Sequence, residues 1–506
     1  MENRFRSSLL NKNEFTVSLE IVAGRGSFEK AQNHALETAS FARKDGRISA
    51  VSVTDSPGGR PGIDPAVMAL EIKKLGMEPI IHYTLKDKNR LNIESELYGY
   101  ARAGLNNLLI MTGDYPKKGY FSGSGKPVFD LDPVHTLKLA DEMNRGLSPQ
   151  RGKMLKPTDF FCGCVVTSFK NVEAEIMTEY IKLKKKLNAS AGFVVSQVGY
   201  DMRKFHELRL LTKELSPNTP LIGNIFVVDK KLAELIHLHR FTGCTIPEKL
   251  YRKIMSEDSD EKIISLERAA KMFGIMKGMG YDGVHIGGED LNAEDVDLII
   301  TKGTKYADNW EEQLKEFEGF DDGAFYYYHR NSANGLNSEE KTDLSVLPTE
   351  EKLSSGYKML RYLHHHIYEK NGLMASFASA IGRRSAKGGF SRRLERAFRA
   401  GLFQCRDCGD CAMPFTDFIC PMTHCPKEQR NGPCGGSRNG YCELFPNKKK
   451  CIYVTAYNRL KLQGKTDLLE ITVDPPNCGL YGTSEWNNFF TQKDTFSRWK
   501  GSKNHE

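Results

Sequence analysis

The sequence has no stretch approaching the ~18 consecutive apolar residues that a membrane-spanning helix needs. Its opening, MENRFRSSLLNKNEFTVSLE, lacks the apolar segment of a secretory signal, so a cytoplasmic chain is expected. The first strand-like run is not followed by G-x-G-x-x-G, since Gly24-Arg25-Gly26 has no third glycine at the right spacing. GSGKP (123–127) puts Pro127 where a phosphate-binding loop needs Ser or Thr. Nucleotide triphosphate hydrolysis is therefore not indicated. A large excess of one charge is also missing: the formal charge is +8 over 506 residues, which does not by itself imply nucleic acid. Cysteine is scarce through the first 400 residues, where only Cys162, Cys164 and Cys244 of the twelve occur. A composition of 40% hydrophobic and 27% charged residues excludes a disordered or collagen-like chain, and at about 150 residues per domain the length suggests two to four domains.

The first three hundred residues repeat one unit. Apolar, β-branched runs of strand length occur at 15–22, 48–54, 78–84, 107–112, 160–167, 191–198, 219–227 and 281–288. Stretches of helical periodicity separate them, several ending at Gly. Continuous apolar strands alternating with amphipathic helices indicate a parallel sheet buried on both faces. Eight units fit an α/β fold of the closed (β/α)8 (TIM) barrel type, with an open doubly wound sheet as the alternative. Barrel chemistry gathers at the C-terminal ends of strands, and the polar residues there are Glu20, Asp55, His82, Asp114, Thr167, Gln197 and His285. Glu20 interrupts an apolar strand, VSLEIV, where an unpaired carboxyl has a raised pKa and is a ready general acid. Gln197 interrupts another, and its amide can donate to and accept from the edge of a heterocycle.

The order of these motifs resembles the methylenetetrahydrofolate reductase family over about residues 14–302. VSLEIV carries the position of the family's catalytic Glu, VSVT (51–54) matches its second strand, and IIHYT places His82 at the end of the third. GDYP (113–116) and GSGKP follow the fourth, and the sixth carries Gln197, with Tyr200-Asp201 just after it. The resemblance implies flavin-dependent reduction of 5,10-methylenetetrahydrofolate to 5-methyltetrahydrofolate. Glu20 and Asp114 would be catalytic, and Gln197 and Asp114 would bind substrate. His82, Thr54, Thr112, Lys182, Lys185 and Lys186 would bind a flavin, FAD rather than FMN, with Glu179 as a further candidate. A solvated helix face is the alternative for the lysines. Thr112 stands where many relatives carry Arg, and Lys230 lies near the place of the aromatic expected after the seventh strand, which leaves NADH or NADPH as donor open. Family barrels commonly self-associate, so a homo-oligomer is implied as well.

Nine cysteines lie beyond residue 400. Cys405, Cys408 and Cys411 form a C-x2-C-x2-C run, followed by Cys420-Pro, Cys425-Pro, Cys434, Cys442 and Cys451. Thiols that stay reduced at this density read as metal ligands, and eight suffice for two four-thiolate sites. Iron–sulfur and tetrahedral zinc both remain open at this spacing. His364, His365 and His366 are consecutive and cannot share one helix face as ligands. The basic segment containing Arg383, Arg384, Lys387, Arg392, Arg393, Arg396 and Arg399 suits an acidic partner or the folate tail better than nucleic acid. The tail resembles the Cys-rich protein or domain that accompanies some bacterial methylenetetrahydrofolate reductases, which implies electron relay or docking of an electron-transfer partner. The expected organisation is a barrel over 1–302, a linker and helical segment over 303–400 and a Cys-rich domain over 401–506. The rival readings are a folate-dependent methyltransferase barrel with a metal-binding tail and a non-enzymatic zinc-ribbon module.

Overall fold

A computed structural model of the chain describes residues 3–117, 123–148, 152–154, 156–238, 240, 243–257, 260–317, 323–349, 351–369 and 372–503. The eight apolar runs become eight parallel strands: β1 (Thr16–Ile21), β2 (Ile48–Val53), β3 (Pro79–Thr84), β4 (Asn107–Met111), β5 (Phe161–Val166), β6 (Phe193–Ser196), β7 (Leu221–Phe226) and β8 (Gly283–Gly287). Each pairs with its sequence neighbour and β8 returns to β1, closing the barrel. The TIM-barrel expectation holds, and the open sheet is excluded by the β1–β8 ladder, in which Ser18 lies opposite His285.

Local chemistry sets the helix limits. α1 (Arg4–Leu10) is capped by Asn3, and α2 (Lys30–Asp45) stops at Gly46, whose φ of 83° is open to glycine and costly for other residues. α3 (Pro65–Lys74), α4 (Arg90–Ala103) and α5 (Pro133–Asn144) start from the side-chain caps Asp64, Asn89 and Asp132. α6 (Glu173–Asn188) and α7 (Met202–Leu215) follow β5 and β6, and α8 (Lys230–His237) follows β7.

Two cores result. One fills the space between strands and helices, with Leu19, Val51, Val53, Ile81 and Val284 facing Ala35, Ile72, Leu97 and Ile299. The second lies inside the barrel: Ala50, Ile80, Leu109, Phe161, Phe193 and Ile222 close around Phe5 and Leu9 of α1. The Phe5 ring stands 5.9 Å from Phe161 and 5.3 Å from Phe193, both edge-on. Burying Phe5 and Leu9 contributes roughly 1.5–3 kcal/mol each. Because their partners begin the strands, α1 seals the N-terminal end of the barrel and leaves chemistry to the other end.

The chain divides into two compact units, the first being Met1–Thr342 together with Cys434–Asn439 and the second Asp343–Pro433 with Gly440–Glu506. The second is helical and cysteine-rich, with helices at Ser355–His364, Leu373–Ala386, Gly389–Phe403, Ile452–Lys461, Glu485–Phe490 and Thr495–Lys503. Its aromatic core gathers Phe415, Phe489 and Phe496. The His364 ring packs 4.9 Å from Phe418 and 4.8 Å from Tyr368. Part of the basic segment serves this unit's own fold: Arg392 donates to both Asp407 oxygens at 2.6 Å, and Arg399 lies 3.8 Å from Glu485. Among the described residues no helix is long and apolar enough to cross a membrane.

Candidate active site

Side chains alternate along a strand, so Ser18 and Glu20 of β1 point to the same face. The closed register brings both beside β8. Ser18 Oγ lies 2.8 Å from His285 Nδ1, Ser52 Oγ of β2 lies 3.2 Å from His285 Nε2, and that Nε2 is 3.7 Å from Glu20 Oε2. His82 of β3 stands next to them, its ring centroid 5.8 Å from that of His285. Ligand atoms of Glu20, His82 and His285 come within 4.8 Å of one another. Both ring nitrogens of His285 already have hydroxyl neighbours, so the trio is better arranged to handle a proton than to present lone pairs to a metal.

The expectation of an unpaired, raised Glu20 is overturned. Burial pushes its carboxyl up, but the close approach of His285 and the field of His82 and His285 pull it down, and the net lies below the ordinary carboxylate value. The partner comes from the last strand, which is why the local sequence gave no warning. Burial pushes His82 down to about 4 against the pull of Glu20, so it is a neutral imidazole near pH 7.

That depression has a consequence for stability. Between the ordinary pKa near 6.5 and the folded value of about 4, the unfolded chain takes a proton that the folded barrel refuses. Stability from this group is complete above the upper value and is lost as pH falls through the window, by roughly 2–3 kcal/mol at pH 4.5. Urea unfolding of the barrel at pH 7 and 4.5 should show that loss, and His82→Gln should remove it. An unchanged slope in the variant would assign the pH dependence to other groups.

The remaining candidates occupy the same end of the barrel. Thr54 follows β2 and holds the Ile21 carbonyl through its N–H at 3.2 Å, and Thr112 is buried just after β4. Asp114 accepts the Gly58 N–H at 2.7 Å. A Cβ at Gly59 would lie 2.0 Å from the Tyr115 carbonyl oxygen, so the turn facing Asp114 is closed to any side chain there. The Gln197 side-chain oxygen accepts the Val198 N–H at 2.8 Å, leaving its amide nitrogen 3.1 Å from where a Gly243 Cβ would stand. Buried Cys244 senses both Glu20 and Asp114, placing the two carboxyls in one neighbourhood.

The solvated reading of the α6 lysines is overturned too. Lys182, Lys185 and Lys186 are all buried, and Lys186 Nζ donates to the Val165 carbonyl at the end of β5 at 2.6 Å. Glu175, Glu179, Lys182 and Lys186 fall at spacings of four, three and four, which makes them one column along the helix. Burial pushes Glu179 up and Lys182 down, each opposed by neighbours of the other sign. Tyr200-Asp201 is structural: Asp201 caps α7 through the Arg203 and Lys204 N–H groups, and Tyr200 donates to the Phe226 carbonyl.

The aromatic at this end of the seventh strand is Phe226, its last residue. A Cβ at Gly287 would meet its ring at 2.9 Å and Glu20 Oε1 at 3.4 Å, which puts the ring beside the carboxylate. Lys230 does not take its place: its N–H donates to Glu261 at 2.6 Å and its ammonium to the Glu257 carbonyl. Ser18 and Ser52 were missed by the sequence reading, though their spacing of two from Glu20 and Thr54 put them on the inward face.

In the second unit, Cys405, Cys408 and Cys411 each sense Cys420, and Cys425 senses Cys442. Backbone N–H groups point at these sulfurs, Asp407 N to Cys405 Sγ at 3.3 Å among them. Cys451 stands at the N-cap of the Ile452–Lys461 helix, and Cys434 belongs to the barrel unit.

Among solved structures, the chain is similar to an uncharacterized protein from Clostridium thermocellum that binds two copies of 5-methyl-5,6,7,8-tetrahydrofolic acid, at 14% identity and a TM-score of 0.42, over 60% of this chain and 98% of that one. Residues 389–478 match the family described as the methylene-tetrahydrofolate reductase C terminal. Residues 4–304, the whole of the barrel, match the family described as methylenetetrahydrofolate reductase, and the chain belongs to that family.

Proposed function

We propose that the chain is a flavin-dependent methylenetetrahydrofolate reductase whose tail carries thiolate-held clusters that relay electrons. The observation that carries the reading is Glu20 lodged against His285 and beside Phe226 at the open end of the barrel. The polar groups nearby suit a flavin. His82 Nε2, Thr167 Oγ1, Ser168 Oγ and Glu179 Oε1 are buried with no hydrogen-bond partner among the described residues. Hydroxyl donors on a ribityl chain or ribose would satisfy the carboxylate, and buried ammonium groups on the next turns of α6 suit a phosphate. Thr54, His82 and Thr112 would flank the ring system, and Lys182, Lys185 and Lys186 its phosphate, with FAD taken over FMN. A flavin bound there supplies two-electron hydride chemistry.

The chain's own residues do the rest. Opening the five-membered bridge of 5,10-methylenetetrahydrofolate breaks a carbon–nitrogen bond and needs a proton on the departing nitrogen. Glu20 delivers it, and His285, held between Ser18 and Ser52, recharges the carboxyl. The cation left on the one-carbon unit is stabilised by the Asp114 carboxylate, and Gln197 fixes the pterin edge. Phe226 gives an apolar wall that excludes water from the reacting carbon.

In the tail, Cys405, Cys408, Cys411 and Cys420 would hold one cluster, and Cys425 and Cys442 would contribute to a second. Tetrahedral zinc and an iron–sulfur unit both suit thiolate sets of this kind, and only the second would relay electrons.

The test is the cofactor and its turnover. Protein purified without oxygen should be yellow, bleach with dithionite and regain its colour on adding 5,10-methylenetetrahydrofolate. Protein that takes up no flavin, or whose reduced flavin ignores the folate, would sink the reading.

A further inference from the structure

Lys170, in the loop after β5, is buried and unused by the chemistry above. Its ammonium donates to the Gly435 carbonyl at 2.6 Å and also to the Ser437 carbonyl. Both acceptors lie in Cys434–Asn439, the short segment that packs as part of the barrel unit although the residues on either side of it do not. A buried lysine holding two carbonyls of one short loop is a clamp, because losing either acceptor would leave a buried charge underpaired.

The clamped loop sits among the ligand-facing groups. A Cβ at Gly435 would meet Thr167 Cγ2 at 3.5 Å and Glu179 Oε1 at 3.9 Å. A Cβ at Gly243 would lie between the Gln197 amide nitrogen, at 3.1 Å, and the Gly435 carbonyl, at 3.8 Å. Lys182 senses Cys434. Gly435 has φ of +87°, so the close approach depends on glycine for its backbone conformation as well as its size. Two of the buried atoms with no protein partner, Thr167 Oγ1 and Glu179 Oε1, belong to the residues that Gly435 abuts.

We infer that Cys434–Asn439 is one wall of the barrel's ligand site and that Lys170 is the positioning residue that seats it. The inference rests on the flavin and folate reading for the identity of the ligands. A ligand that fills the space beside Thr167, Glu179 and Gln197 contacts the loop and quiets it. By linkage, a correctly seated loop raises ligand affinity by the same factor. Affinity in the barrel is then governed partly by residues more than 260 positions later in the chain.

Amide hydrogen exchange on the full-length chain tests this, read at the peptide spanning 434–439 and at β5 and β6. Saturating FAD or 5-methyltetrahydrofolate should slow exchange of 435–439 at least fivefold. Lys170→Met should weaken the Kd of at least one probe tenfold or more and abolish that protection, and Lys170→Arg should recover most of both. The wild-type exchange measurement stands even if Lys170→Met fails to fold. Protection of β5 and β6 with unchanged exchange at 435–439 would overturn the inference and leave the functional reading intact. No saturable binding of either probe would overturn the functional reading, and this inference with it.

Discussion

Glu20→Gln should lose two to four orders of magnitude in folate reduction while keeping its fold and its flavin. General acid catalysis by a positioned side chain contributes about 10^2–10^4 in rate, and the amide removes the transferable proton while preserving shape. The Ser18–His285 contact at 2.8 Å does not involve Glu20 and should survive. In the wild type, the rate at which folate reoxidises the reduced flavin should fall as pH rises, because Glu20 must carry a proton to pass on and its carboxyl is held below the ordinary value. In Glu20→Gln that dependence should flatten. Stopped-flow reoxidation across pH, with flavin content measured alongside, checks both parts. A variant with near wild-type reoxidation would remove Glu20 from the chemistry. One that lost its flavin would make the residue structural.

Cys411→Ser and Cys420→Ser should each empty the first thiolate set and unfold much of the second unit. From Gln404 to Cys451 the regular helix consists of the single turns Met413–Thr416 and Pro421–His424. So long a stretch with so few repeating backbone bonds needs cross-links, and the sulfurs of Cys405, Cys408, Cys411 and Cys420 lie close enough to sense one another. A structural metal site can contribute on the order of 10 kcal/mol to folding, whereas an ordinary core substitution costs about 0.5–3 kcal/mol. Metal content, visible absorption and exchange protection of residues 404–433 and 440–451 should fall together, while the barrel keeps its own transition. Cys478→Ser, at an exposed residue, should change stability by less than about 0.5 kcal/mol. Full metal content in Cys411→Ser would remove that residue from the ligand set.

Much of the barrel was legible because its cause is local. The continuous apolar runs end within a residue or two of the observed strands, and glycine marks helix ends at Gly46 and Gly104. Glu20 was legible for the same reason, as a carboxylate in an apolar strand. What stayed hidden depends on closure. The sign of the Glu20 shift is set by His285, brought alongside only when β8 meets β1. Phe226 could not be placed beside Glu20 until Gly287 opened room for its ring. The α6 lysines gave an ambiguous pattern because a buried column of paired acidic and basic residues looks, in sequence, like an exposed helix face. Lys170 gave no signal, since its partners come from a segment far along the chain.

The plug formed by Phe5 and Leu9 closes one end of the barrel, so among the described residues of this unit the way in lies at the other end. A soluble reductant that had to enter would queue with folate for that entrance, so donor and acceptor would alternate and each would inhibit the other at high concentration. Electrons supplied through thiolate-held clusters, as proposed, would need no turn at the entrance. Double-reciprocal plots against folate would then lack substrate inhibition by the donor, and the traffic pattern itself would report which route the electrons take.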